Sequence, residues 1–220
     1  MTKWPKDLKI AKQLQEILRK KVKIIPLEKN PEYITGVDAA FLNNKVIGVA
    51  CIFKYPDMLS IEEAYSIKEI LFPYMPGFLS FREGQAIIGA IKRLRRKSNI
   101  ILFDGQGIAH PKRLGIASHV GVMLNMTSIG CAKSKLVGIY KEPGLEKGNW
   151  SFLRHAGEIL GVVLRTKDNV NPLFVSPGNR IDIRSSIRVV LACCRKYRIP
   201  EPIRRAHFLS QKIKRELLAR

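Results

Sequence analysis

Apolar positions along the first quarter of the chain repeat first with a helical and then with a strand period. Leu8, Ala11, Leu14 and Leu18 fall on one face of a helix predicted over residues 6–20. Pro26 and Pro31 interrupt the chain before an apolar stretch, Ile34 to Phe41, that holds one aspartate, Asp38. Asn43-Asn44 supplies a turn, Lys45 to Tyr55 reads as a second strand, Pro56-Asp57 as a second turn, and Leu59 to Ser66 as a third strand. That pattern is an antiparallel meander.

The pattern then changes. A loop of prolines, glycine and aromatics from Leu71 to Phe81 precedes a helix expected from Phe81 to Arg96. Asn99 to Phe103 is a short buried-type strand that ends at Asp104. After a glycine-bearing loop come a helix over Gly115–Leu124 and a strand over Thr127–Cys131. Two more strands are expected at Leu136–Tyr140 and Ile159–Thr166, and two helices at Asp182–Arg198 and Arg204–Leu218. Hairpin-linked strands followed by alternating helix and strand predict an α/β fold: a mixed β-sheet with helices on both faces, RNase H-like in outline. With no linker or internal repeat, residues 1–220 are expected to form one catalytic domain.

Charge narrows the function. The 39 lysines and arginines against 18 acidic residues give a formal charge of +21 and a pI near 10.1. A polyanion would relieve that self-repulsion. The charge is also clustered, at Arg19–Lys23, at Lys92–Lys97 and from Arg204 onward, which favours nucleic acid as partner. Arg93, Arg95 and Arg96 are candidates for a phosphate-contacting face. The four cysteines lack any C-x-x-C or Cys/His zinc spacing and read as small core residues of a reducing compartment. No apolar run reaches the roughly 18 residues of a membrane span, and residues 1–9 carry no apolar leader, so a cytoplasmic protein without a membrane partner is expected.

Against this basic background three carboxylates stand out. Asp38 in an apolar strand must meet a metal ion, a hydrogen-bond network or solvent at the sheet end, because burial of an unpaired charge is costly. Ser80-Phe81-Arg82-Glu83 has the form of a capping box, which alone would explain Glu83. Asp104 ends a buried strand, where ligand sites in α/β sheets gather, and Gly105 and Gly107 behind it allow close backbone approach. An Asp-Gly turn explains Asp104 equally well. Carboxylates on neighbouring elements suit magnesium, and two such ions can drive phosphodiester hydrolysis. His110, His119, Lys133 and His207 are further polar candidates. A non-enzymatic, basic nucleic-acid-binding protein is the rival reading, although it has no need of Asp38.

Longer segments carry a resemblance. Pro73-Tyr74-Met75-Pro76-Gly77-Phe78-Leu79-Ser80-Phe81-Arg82-Glu83 and the stretch from Asp104-Gly105-Gln106-Gly107 to Ala117-Ser118-His119 resemble signatures of the endonuclease V family. Gly36-Val37-Asp38, Ile129 to Lys133, Asn171-Pro172-Leu173, Pro200-Glu201-Pro202 and Arg205-Ala206-His207 follow in the family's order, over roughly residues 30–210. The resemblance implies a repair enzyme that recognises deoxyinosine in DNA and cuts the second phosphodiester bond on its 3′ side. An inosine-specific endoribonuclease is the alternative within the family.

By motif position Asp38, Glu83 and Asp104 would hold Mg2+, with Mn2+ able to substitute. His207 would be an outer member of that cluster and Lys133 a nearby cation. Pro73, Tyr74, Met75 and Pro76 would form a strand-parting wedge, although the residues alone fit a buried loop anchor as well. Leu79, Gly105, Gly107, Ile116 and Leu136 would surround the extruded base, and His110 stays a further candidate with no assigned place. The resemblance also implies that Ser80 still caps its helix. No protein partner is required, and a monomer is expected. Three departures are Gln106, where some relatives have His, His207, where others have Asp, and Asp182, where a small hydroxyl residue is usual. Asp182 fits an N-cap, and an additional site carboxylate is the other reading.

Overall fold

A computed structural model describes residues 4–219. Eight strands form one mixed sheet in the order β3-β2-β1-β4-β5-β8-β7-β6. The meander comprises β1 (Tyr33–Leu42), β2 (Lys45–Lys54) and β3 (Leu59–Glu69), all antiparallel. β4 (Ile100–Phe103) lies parallel to β1, and β5 (Thr127–Ala132) parallel to β4. β6 (Trp150–His155), β7 (Glu158–Leu164) and β8 (Leu173–Asn179) complete the far side in antiparallel pairing.

The period of two along β4 divides the core. Ile100 and Leu102 face α4 (Ile183–Cys193) and α5 (Glu201–Leu218), in one cluster with Ile34, Ile129, Val189 and Ile203. Ile101 and Phe103 face α2 (Leu79–Arg93) and α3 (Ile116–Leu124), with Val37, Ile87, Ala117 and Val120. Both faces of the central strands are thus covered by helices, which is why they read as continuous apolar runs. α1 (Leu8–Arg19) is capped by Asp7, whose carboxylate accepts from the Ile10 amide at 2.9 Å. It covers the α2 entrance, where Ala11 joins Phe72 and Phe81.

Several expected boundaries change. Leu136–Tyr140 is not a strand; it makes a single bridge, Ile139 to Arg154. The strands there are β6 and β8, neither of which the apolar pattern announced. β6 is a largely exposed edge, and β8 carries Pro177 and Gly178, which read as breakers. Pro177 fits because the β5–β8 register shifts opposite it, where a missing amide is tolerated. α2 ends at Arg93 rather than Arg96, α4 at Cys193 rather than Arg198, and α5 starts at Glu201 with Pro202 in its first turn. Asp182 caps α4, its carboxylate accepting from the Ser185 amide at 2.8 Å. All four cysteines are free and buried. Among the described residues no helix is long and apolar enough to cross a membrane.

Candidate active site

The β1–β4 ladder closes at Val37 opposite Phe103, so the next residue on each strand is an aspartate. Asp38 and Asp104 therefore face one another where the sheet opens. Asp38 is held from α5: Ser210 Oγ donates to its Oδ2 at 2.6 Å, and His207 Nδ1 lies 3.2 Å from the same oxygen. Asp104 is ion-paired with Lys133, just past β5. The Lys133 carbonyl accepts from Arg198 at 3.0 Å, and Arg198 also reaches the Pro172 carbonyl at 2.8 Å.

Glu83 comes from the opposite face of the sheet, on α2. Burial first, then the negative charge of Asp38, push its pKa up to about 8; Arg82 opposes the rise, and Asp104 adds a smaller push upward. Burial also raises Asp38, opposed by Ser210 and His207 and reinforced by Asp104. Glu83 thus lies within the field of both aspartates, and Asp38 within that of Asp104. As they stand, no group of three acidic, histidine or cysteine side chains among the described residues is closed tightly enough to chelate an ion. A divalent cation nevertheless suits the donors, which are carboxylate oxygens under mutual repulsion with a lysine already drawn onto one of them.

The capping-box reading of Glu83 does not hold. α2 starts at Leu79, one residue before Ser80, and its N-cap is Phe78, with no side-chain cap. Ser80 is buried inside the first turn, 2.8 Å from His119 Nδ1, and so does not cap the helix. His119 stacks on Trp4 at 5.6 Å between ring centroids. Burial lowers the pKa of His119 to about 4.

A cavity of about 460 Å3 opens beside Asp104. Tyr74, Met75, Pro76, Leu79, Gly105, His110, Ile116, Lys133 and Leu136 are among the residues that line it. Of the predicted base-pocket residues, Gly107 does not line it. Its amide donates to Ser176 Oγ at 2.8 Å, and a Cβ there would meet the Pro177 carbonyl oxygen at 2.0 Å. It is a close-packed glycine beneath the cavity rather than part of its wall. His110 is buried, and burial lowers its pKa to about 4. Its Nδ1 accepts from the Lys112 amide at 3.2 Å.

The Pro73–Pro76 loop is divided. Tyr74 is 72% exposed at the cavity mouth. Met75 instead packs with Phe72 and Phe81, so it anchors the loop and does not share the tip. Gln15, 1% exposed on α1, donates to the Gly77 carbonyl at 2.8 Å and fixes the loop's far end.

Arg93, Arg95 and Arg96 lie elsewhere. Arg93 reaches the Tyr65 carbonyl, Arg95 pairs with Glu62, and Arg96 bonds the Tyr33 hydroxyl at 2.8 Å. They cluster at the amino-terminal ends of β1 and β4, the opposite end of those strands from Asp38 and Asp104. Ser210 and Arg198 are the site residues that the sequence reading missed. Ser210 stands three residues after His207 on α5, on the same helical face, and that spacing was its one signal.

Carboxylates from opposite faces meeting at an open sheet end, beside a lysine and a cavity with an exposed aromatic at its mouth, define a nuclease of RNase H-like architecture. The family model for endonuclease V matches residues 16–208, and the chain belongs to that family. An endonuclease V of Dictyoglomus turgidum is 49% identical over 201 residues, 91% of this chain and 88% of that protein. The crystal structure of the Streptomyces avermitilis endonuclease V superposes with a TM-score of 0.94 at 35% identity, covering 99% of this chain and 97% of the other. A Ciona intestinalis endonuclease V, crystallised with a 23-mer DNA containing an inosine followed by a ribo-adenosine, gives 0.83 at 27% identity over 95% and 97%.

Proposed function

We propose that this chain is a DNA repair endonuclease that recognises deoxyinosine, the product of adenine deamination, and hydrolyses the second phosphodiester bond 3′ to it. The observation that carries the reading is the convergence of Asp38, Glu83 and Asp104 beside a base-sized cavity with Tyr74 at its mouth. Family membership and the inosine-containing DNA held by the Ciona relative support the same substrate.

The residues divide the work. Tyr74 fills the stack left by a base that has swung out, and Leu79, Ile116 and Leu136 offer that base an apolar slot. The open backbone at Gly105 lets main-chain groups meet the edge of hypoxanthine. Asp38, Glu83 and Asp104 would hold the magnesium, or manganese in its place. An ion held there would supply the positive charge needed to lower the pKa of a water and to offset charge on the phosphate. Ser210 and His207 hold the Asp38 carboxylate in one orientation, and Lys133, braced by Arg198, supplies positive charge at Asp104. The protein acts as a monomer, with nucleic acid as its partner.

The test is cleavage of matched DNA and RNA oligonucleotides, each with a single inosine, with and without magnesium. A magnesium-dependent nick one nucleotide beyond deoxyinosine is expected. Cutting of the RNA strand alone would move the assignment to an endoribonuclease, and no cutting of either would overturn it.

A further inference from the structure

A second cavity, about 860 Å3, runs along α5 from Glu201 to Arg215 and shares only Asp104 and Lys133 with the cavity beside Tyr74. We infer that this groove seats the nucleotides of the cut strand on the 3′ side of the cut, with Phe208 as a stacking platform and Arg215 as a phosphate contact. The inference rests on the proposed function, which sets the direction of the strand. If the lesion base occupies the first cavity and the cut falls 3′ to it, the strand must pass Asp104 and Lys133. What lies beyond them is the α5 groove.

The lining matches that occupant. Phe53, Met58 and Ile203 form an apolar floor, and Phe208 stands 52% exposed on its wall. The Arg205 guanidinium lies 5.4 Å from the centroid of that ring, and the rest of the half-exposed ring is open for a base to stack, since every base has a π-face. The rim is cationic. Arg204 and Arg205 are already engaged, by Glu201 and by Glu63, and the Arg204 guanidinium also lies 3.4 Å over the Tyr197 ring. Arg215 is different: it is exposed, and among the described residues its guanidinium meets the Gln211 carbonyl alone, at 3.3 Å. It is the rim cation with the most capacity left for phosphate. A protein partner would have to accept a line of arginines beside catalytic carboxylates, whereas a nucleic-acid strand must already cross that line.

The test uses single-stranded DNA with one inosine and a fixed 5′ flank, the 3′ flank being lengthened stepwise, plus the mirror series in which only the 5′ flank grows. Binding is read by fluorescence anisotropy without divalent cation, and adenine replaces inosine in a parallel set. For wild type, affinity is expected to rise with the 3′ flank, by about tenfold once a base reaches Phe208. Phe208→Ala and, separately, Arg215→Gln should flatten that rise while matching wild type on the shortest strand. Both side chains are exposed, so neither change disturbs the core. Dependence on the 5′ flank alone, or an equal loss at every length, would overturn the groove assignment while leaving the proposed function intact. Equal cleavage of inosine and adenine strands by wild type, once magnesium is added to the parallel set, would instead overturn the proposed function, and the direction of the groove with it.

Discussion

Gly36→Ala tests how far the geometry at Asp38 depends on one missing side chain. Gly36 lies on β1 two positions before Asp38, against the first turn of α5. A Cβ built there would come to 2.1 Å from the Pro202 carbonyl carbon, 2.2 Å from its oxygen and 2.5 Å from the Ile203 nitrogen. These are backbone atoms, so no rotamer change relieves the clash and the helix itself must shift. Forcing a methyl group into a packed interface costs about 1–3 kcal/mol, and the gain from stiffening the unfolded chain returns about 0.4–1. A net loss of about 1.3 kcal/mol lowers the Tm of a chain this size by about 3–5 °C.

Activity should fall further than stability. α5 carries both His207 and Ser210, so moving its start lengthens the 2.6 Å and 3.2 Å contacts that orient Asp38. A misplacement of about 1 Å at a reacting group can cost on the order of 100-fold. The assay pairs thermal unfolding with single-turnover cleavage of an inosine strand at saturating enzyme and magnesium. Ser210→Ala is the control: it removes the hydroxyl without moving the helix, so the rate should fall with little loss of Tm. Wild-type Tm in Gly36→Ala would refute the packing argument. A lowered Tm with an unchanged rate would refute the link from α5 to Asp38.

Three further outcomes are expected. Asp38→Ala and Asp104→Ala should each abolish cutting while inosine-DNA binding, measured by gel shift, stays within a few-fold, because affinity comes mainly from phosphate contacts; turnover by either variant would remove it from the proposed metal site. Tyr74→Ala should slow cleavage of inosine in duplex DNA more than in a single strand, since stacking of this kind is worth about 1–3 kcal/mol; equal losses on both would assign Tyr74 to the cavity wall. Stability should fall with acid, because His110 and His119 titrate near 4 in the fold and near the ordinary value of 6.5 in the unfolded chain. The folded pKa is the lower one, so stability is level above about pH 6.5 and is lost as pH drops toward 4, by on the order of 3 kcal/mol for a fully buried histidine. His119→Gln should flatten that slope in chemical denaturation at stepped pH, and an unchanged slope would contradict the assignment.

What could be read in the chain depended on whether its cause was local. Asp38 was conspicuous because a charge inside Ile34–Phe41 violates the pattern around it, and the turn at Asn43-Asn44 and the end of β4 at Asp104 follow from neighbouring residues. Ser80 and Glu83 misled for the converse reason. The capping-box spacing is present, but the aromatic cluster of Phe72, Phe78 and Phe81 sets the helix entry and His119 engages the Ser80 hydroxyl. Those contacts reach across the fold, and no local pattern encodes them. Met75 differs from Tyr74 on the same grounds, because which side chain of the loop turns inward is decided by α1. Arg198 was invisible for want of any nearby signal, its two partners lying on separate loops.

Recognition and cutting are joined by one stretch of backbone. The segment from Asp104 to Gly115 begins with a carboxylate of the proposed metal site and ends at the lining of the cavity beside Tyr74. It is not a free loop. The Gly107 amide is held by Ser176, the Ile108 amide by the Pro177 carbonyl at 2.8 Å, and the Gly115 amide by the Gly107 carbonyl at 2.9 Å. Gly130 on β5 lies directly beneath, where a Cβ would meet the Gly107 nitrogen at 2.3 Å. With its amides pinned to β8 and its underside in contact with β5, this segment cannot adjust to a base of another shape by bending. On the proposed reading, discrimination comes from the fit of the base to a fixed wall, and Tyr74, on a loop of its own, would part the strand. The distance from cavity to carboxylates is set by the same rigid backbone, so a cut at a constant offset from the lesion follows from the fold itself.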